Sequence, residues 1–310
     1  MAYTRKRRYT RRSYGSSKAK KTTRPSARRY RSTGRTRRSI RKAPMSKRRI
    51  LNTSSRKKRN GMLSWSNTTT SGSVRAPAIG PAYVNGAVGG FFAWQATAQQ
   101  LDAQSTIANQ ATRTATTCYM KGLAEHLRIQ TSSGLPWFHR RVCFTLKGIN
   151  AFNSALSTDT PNFPISYYVD TSNGIERLWQ NEQINNMPNT LNAQWSLLFK
   201  GTVDKDWNDY IIAPIDTTRV SVKFDKTWTM QSGNSSGIVR ERKLWHPMNH
   251  NLVYDDDENG DIESSSYNST TSKAGMGDYY VIDMFQRRSR WIKYGSSQIT
   301  TNSTLYWHEK

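Results

Sequence analysis

The sequence predicts an all-β domain behind a basic arm, and three observations predict it. Beyond residue 118 apolar and polar residues alternate with a period of two. Helical patterns of comparable length are absent, and the connections between alternating stretches are long and rich in Asn, Ser, Thr, Gly and Pro. Such alternation marks strands with one face buried and the other in water. Without Asn-Gly hairpin turns between adjacent strands an up-and-down meander is disfavoured, and eight strands joined by long crossovers suit a double-sheet jelly roll. The chain has 310 residues. With the arm set aside, about 250 remain, enough for one large domain with its own core.

The first sixty residues hold 25 Lys or Arg and no Asp or Glu; the first acid is Asp102. Of the 47 basic residues 22 lie beyond residue 60, against 21 acidic ones, so the body is near neutral and the arm carries nearly all of the net +26. A like-charged block this dense repels itself and has too little apolar surface to offset chain entropy. Residues 1–60 are therefore expected to be disordered until they meet a polyanion, and nucleic acid is the polyanion that fits. Arg5, Lys6, Arg7, Arg8, Arg11, Arg12, Arg28, Arg29, Arg31, Arg35, Arg37, Arg38, Arg41 and Lys42 are the candidate phosphate contacts. Tyr3, Tyr9, Tyr14 and Tyr30, interleaved with them, suit stacking on unpaired bases and so favour a single strand. A polybasic membrane segment normally works with an acyl chain or an amphipathic helix. Ala2 excludes the myristoylation pattern, and no helical apolar stripe runs through the arm. The clusters Lys47, Arg48, Arg49 and Arg56, Lys57, Lys58, Arg59 also suit a nuclear import receptor.

Residues 61–117 turn to Ser, Thr, Ala, Gly and Gln and read as a linker. Phe91, Phe92 and Trp94 within it need cover, either by anchoring the start of the domain or by docking on a neighbouring copy. The domain itself is expected over 118–310. Leu123, Glu125, Leu127 and Ile129 alternate with Ala124, His126, Arg128 and Gln130; Val142, Phe144 and Leu146 repeat the pattern, as do Trp195, Leu197, Phe199 and Val203. The clearest series is Val220, Val222, Phe224, Trp228 and Met230. Strands are expected over 123–130, 140–149, 165–169, 194–203, 218–231, 238–246, 279–286 and 303–308. The longest apolar stretch, Ala87–Trp94, falls well short of the ~20 residues of a membrane span. The charged N-terminus lacks the apolar region of a secretory signal. Two cysteines, Cys118 and Cys143, are too few for a disulfide framework.

Catalytic patterns are missing: there is no phosphate-binding Gly-x-x-x-x-Gly-Lys-Ser/Thr loop, no His-Glu-x-x-His, no Gly-x-Ser-x-Gly and no pair of Cys-x-x-Cys. An enzyme is not expected. His246 and His250 share helical spacing, but Pro247 between them blocks the helix that would aim both at one metal. One constellation stands out. Asp255 to Ile262 fits the first eight positions of a calcium loop, with Asp255, Asp257, Asn259 and Asp261 as candidate oxygen ligands. Ser266 stands at the twelfth position where a bidentate Glu belongs, and flanking helices are missing, so an EF-hand is excluded. A loop cation site and a solvated acidic tip both stay open, and no other cofactor is expected.

The Met-Ala-Tyr start, the Arg/Tyr-rich arm, the Ser/Thr linker, the Trp-rich β-domain and the closing Gly277-Asp278-Tyr279-Tyr280-Val281-Ile282-Asp283 strand together resemble the capsid proteins of genomoviruses. These are small circular single-stranded DNA viruses related to the plant geminiviruses. The resemblance implies an icosahedral shell of jelly-roll subunits, simplest as T=1, that packages circular single-stranded DNA and enters the host nucleus. Virion and host nucleus are the locations it implies. A cellular nucleic-acid packaging or chaperone protein is the alternative; self-association explains a Trp-rich, nearly neutral β-domain with long loops better.

Overall fold

Ser46 starts the folded unit, which spans Ser46–Lys310. Its hydroxyl accepts a hydrogen bond from Arg49 N and caps helix α1 (Lys47–Ser54). The computed structural model describes residues 45–102, 109–164, 166–288 and 295–310. The arm's candidate contacts, Arg5 to Lys42, lie outside the described residues.

Five strands follow α1: β1 (Arg56–Met62), β2 (Ser64–Thr68), β3 (Val74–Ile79), β4 (Ala82–Asn85) and β5 (Gly90–Gln95). The stretch expected as a linker is thus folded, and the folded unit begins before residue 60. Two physical causes hid these strands. β5 is buried at every position, so it shows no alternation, and β1 carries its cations on a strand that is wet on one side. Phe91, Phe92 and Trp94 find their cover inside this unit, each fully buried.

Next come β6 (Thr117–Thr131), β7 (Trp137–Leu146), β8 (Val169–Thr171), β9 (Gly174–Trp179), a short 3-10 turn at Glu182–Ile184 and helix α2 (Pro188–Leu198). The strand expected over 194–203 is therefore helical for its first half. Pro188 sits at the first helical position, where its fixed φ and missing N–H cost nothing. Leu191, Gln194 and Leu198 are buried at helical spacing, while Trp195, Leu197 and Phe199 matched a period of two only incidentally. The strand expected over 165–169 survives only at its last residue, where β8 begins. The chain closes with β10 (Ser221–Met230), β11 (Val239–Val253), β12 (Asp257–Asn259), β13 (Ile262–Ser264), β14 (Asp278–Arg287) and β15 (Ser296–Glu309).

The described residues are mostly β. Two large sheets have the orders β1-β15-β6-β11, with β4 also paired to β15, and β10-β7-β14-β5; every pairing in them is antiparallel. A smaller sheet, β3-β2-β9-β8, contains the parallel pair β2 and β9. Met62, Leu123, Leu305 and Trp307 of the first large sheet pack with Trp94, Cys143, Tyr279 and Val281 of the second. The opposite side of the second sheet is covered as well: Phe91, Val142, Phe144, Ile282 and Met284 pack with Leu191 and Leu198 of α2 and with Phe199 and Ile211 beyond it. The first sheet keeps one face in water, which is why β6 alternates so regularly between buried and exposed.

Between the large sheets lies a fully buried charge network. Arg141 holds Asp283 through two bonds of 2.7 and 2.8 Å and pairs with Glu125. Arg177 reaches Glu125 at 3.0 Å and Asp283 at 2.7 Å, while its guanidinium lies 4.3 and 4.0 Å from the rings of Trp94 and Trp179. Two cations and two anions balance. Burial opposes ionisation of both acids, but the facing guanidiniums hold Asp283 and Glu125 below their ordinary values. His139 accepts at Nδ1 from Arg242 at 2.8 Å, since a guanidinium can only donate, so its Nε2–H donates to Asp283 at 2.8 Å. That fixes His139 as neutral. Burial brings its pKa down to about 4. His246 also sits against Arg141, at 3.3 Å, and burial followed by that charge lowers it to about 4. Cys118 and Cys143 are free and buried in the core.

Candidate nucleic-acid interface

The open face of the β1-β15-β6-β11 sheet carries the residues that the alternation turns outward. On β1 these are Lys57 and Arg59; on β6 Tyr119, Lys121, His126 and Arg128; on β11 Lys243 and Trp245; all are exposed. Tyr306 and His308 of β15 are half-buried among them. Strand register sets them side by side, because Tyr306 pairs with Arg59 on one side and Gly122 on the other, and His308 pairs with Lys57 and Tyr119. Trp245 and Tyr306 have ring centroids 5.9 Å apart; Tyr119 and His308 are 6.0 Å apart.

Gly122 makes the aromatic cluster possible. A Cβ there would come within 2.6 Å of both the Trp245 ring and His246 O, so any larger residue would lift Trp245 off the sheet. The face is also electropositive. Among its outward-facing described residues the acid is Glu241, which lies 3.4 Å from His126. His308 is pushed below its ordinary value by burial and then by the nearby charges of Lys57 and Lys121. Cations around exposed rings form a surface that can hold phosphates while bases stack. In a chain beginning at Ser46, replacing Trp245 and Tyr306 together by Ala should weaken binding of a single-stranded oligonucleotide about tenfold or more, given about 1–3 kcal/mol per stacked base. Fluorescence anisotropy reads this directly, and unchanged affinity would remove the face from the interface.

The import clusters are only partly displayed. Lys47 and Arg49 are exposed on α1, and Arg48 lies on the same helix. Arg56, Lys57 and Arg59 are exposed on β1, but Lys58 points inward. It forms a buried ion pair with Glu309 at 2.9 Å and donates to Thr112 O and Thr114 Oγ1. Lys58 is thus a structural residue that no receptor can reach in the folded chain, a correction to its reading as part of an import signal.

The proposed cation loop is a hairpin. Asp257–Asn259 pairs with Ile262–Ser264 through a two-residue turn, Gly260-Asp261, in which Gly260 has φ +72°. Tight two-residue hairpins are thus not absent as expected, although the turn residues here are Gly-Asp rather than Asn-Gly. An extended strand sends neighbouring side chains to opposite faces and does not wrap an ion. The nearby Asp256 is taken by Arg113 in a buried pair. Among the described residues no group of three or more His, Cys, Asp or Glu side chains could hold a metal. Asp255, Asp257, Asn259 and Asp261 are all exposed, and the acidic-tip reading fits them.

Sequence reading identified β6, β11 and β15 of this face but missed β1, and it missed the aromatic cluster because Tyr119, Trp245 and Tyr306 come together only through pairing. The signal available was an aromatic residue in the outward phase of an alternating strand. No helix among the described residues is long and apolar enough to cross a membrane. No protein-family model matches the chain, and no curated protein matches it significantly.

Proposed function

We propose that this chain is a viral capsid protein of genomovirus type, which self-assembles into an icosahedral shell and packages circular single-stranded DNA through its basic arm and the open sheet face. The observation that carries the reading is the strand order. Numbering β1, β5, β6, β7, β10, β11, β14 and β15 one to eight in chain order, the two large sheets run 1-8-3-6 and 2-7-4-5, an order that supports reading them as a double-sheet jelly roll. A fold of this kind serves lectins as well as capsids; the 18 cations ahead of the folded unit favour a nucleic-acid container. The folded unit carries 29 basic against 21 acidic residues, far less than the net +26 of the whole chain, so copies can pack side by side once the arms share one compartment. Electron microscopy of the purified chain with single-stranded DNA should show closed shells; monodisperse single subunits under all ionic conditions would defeat the proposal.

The arm and α1 also serve import into the host nucleus in this reading. Replacing Lys47, Arg48 and Arg49 by Ala, with Lys58 left intact to preserve the fold, should shift a fluorescent fusion from nucleus to cytoplasm. Full nuclear accumulation of that variant would assign import to the arm alone.

A further inference from the structure

An open cleft of about 560 Å³ lies at one end of the second large sheet, between the end of β7, the segment leading into β10, His250 of β11 and the loop ahead of β14. That size is ordinary for a binding site, about 300–1,000 Å³. Lys147, Arg219 and Lys223 line it together with the apolar Leu146, Val220 and Met276. Lys147 also fixes one wall, because its Nζ donates to Ser272 O at 2.8 Å and to Ala274 O at 2.7 Å. Gly275, at φ +71°, lets that wall lie on β11; a Cβ there would fall 2.9 Å from Val253 N. Arg219 lies 3.3 Å from Asp216. Lys147 and Lys223 donate to neutral oxygens, Lys223 to Ser221 Oγ at 3.1 Å, and among the described residues neither meets a carboxylate. The cleft therefore keeps a net positive charge. None of the described residues that line it is acidic or aromatic, so it offers no platform on which a base of a single strand could stack.

The β12–β13 hairpin has the opposite character. Asp257, Glu258, Asp261 and Glu263 are all exposed on it, with Asp255 just before it. No Lys, Arg or His occurs between His250 and Lys273. Of the acids from Asp255 to Glu263, only Asp256 is in an ion pair among the described residues. Glu258 stands directly opposite Glu263, and like charges so placed destabilise a strand pair. The two strands pair only with each other, whereas an isolated two-stranded hairpin is marginal in water. Ile262, on the same hairpin, is 64% exposed. Cations from outside the hairpin would relieve its self-repulsion and hold it in place. Its own copy does not supply them, since no described hairpin residue lines that copy's cleft.

We propose that the β12–β13 hairpin of one copy docks into this cleft on a second copy, its carboxylates pairing with Lys147, Arg219 and Lys223 while Ile262 covers Leu146 and Met276. A convex acidic element and a concave basic one complement each other in charge. Because the two surfaces differ, the contact runs head to tail, and such contacts close into rings when the rotation between copies allows it. The inference rests on the capsid reading, for which it names a contact between subunits, yet the contact can be detected whether or not shells form.

The test mixes full chains of ordinary and heavy-nitrogen label with single-stranded DNA and treats them with a carbodiimide, which joins amines directly to carboxylates. Mass spectrometry should find links from Lys147 or Lys223 of one label to Asp257, Glu258 or Asp261 of the other. Reversing the hairpin (Asp257→Lys, Glu258→Lys and Asp261→Lys) or the cleft (Arg219→Glu and Lys223→Glu) should each lower the yield of sedimenting shells about tenfold or more, because like charges then face each other. Both sets in one chain should restore the yield, with melting curves showing that all three variants fold. Links without shells would uphold the contact and defeat the capsid reading. Shells at full yield from both singly reversed chains would overturn the contact and leave the capsid reading standing. Links that run from the hairpin to lysines of the arm instead would also overturn it, with the arm as occupant. So would a cleft reversal that weakens DNA binding and is not rescued in the combined chain, which would assign the cleft to nucleic acid.

Discussion

Asp283→Ala should destabilise the folded unit by about 3–5 kcal/mol, the cost of removing one partner from a buried ion pair. Asp283 accepts from Arg141, Arg177 and His139 at once, all fully buried. Its loss leaves two guanidiniums facing Glu125 alone, with an excess positive charge out of water. For a unit of this size each kcal/mol moves the melting temperature by about 2–4 °C, so calorimetry should show a fall of about 10 °C or an unfolded product. A shift within 2 °C would mean that water reaches the network. The same network makes stability pH-dependent. His139 and His246 are held neutral with pKa values of about 4, against about 6.5 in an unfolded chain. Between those values the unfolded state binds more protons, so stability is full above about pH 6.5 and falls progressively toward pH 4. Protonation of either histidine would add a cation beside Arg141. Asp283 and Glu125, held below their ordinary values, act in the same direction at still lower pH.

Binding of the full chain to single-stranded DNA should weaken by roughly 10³-fold or more between 50 and 200 mM salt, because neutralising many phosphates releases condensed counterions. The arm supplies 25 cations by residue 60, of which 18 precede Ser46. A chain beginning at Ser46 keeps β1 and the open face, so it should bind weakly with a much shallower salt slope. Truncation at Gly61 would be a poor comparison, since it removes five of the seven residues of β1 together with the Lys58–Glu309 pair. If roughly sixty copies close a T=1 shell, the 18 cations ahead of Ser46 in each bring about 1,100 positive charges into one compartment, comparable to the phosphates they would neutralise. Full-length protein stripped of nucleic acid should then assemble poorly at low salt, and added single-stranded DNA or higher salt should restore assembly. An identical salt slope for the full and truncated chains would show that the arm does not dominate binding.

Much of this architecture could be read from the sequence where a strand has one wet face. β6, β11 and β15 alternate because their sheet is covered on one side, and β10 alternates at a sheet edge. Where both faces are buried the pattern disappears, as in β5, and a run that resembled a linker is a core strand. Lys58 shows the converse: a cation in a basic cluster points inward because its partner, Glu309, is 251 residues away in sequence and adjacent only through the pairing of β1 with β15. Glu125 occupied an apolar phase in the sequence without explanation. Arg141, Arg177 and Asp283, from three other strands, supply it. The candidate face was half legible, since its cations and rings lie in outward phases, but their adjacency depends on register.

The central claim, that the chain packages single-stranded nucleic acid inside a shell of its own copies, is tested most directly by nuclease protection. Circular single-stranded DNA is mixed with the purified full-length chain, particles are separated by sedimentation, and the DNA is recovered after nuclease treatment. The account predicts fast-sedimenting particles in which the circle survives intact, and a chain beginning at Ser46 that protects little of it. DNA that is bound but fully digested at every protein ratio would contradict the account.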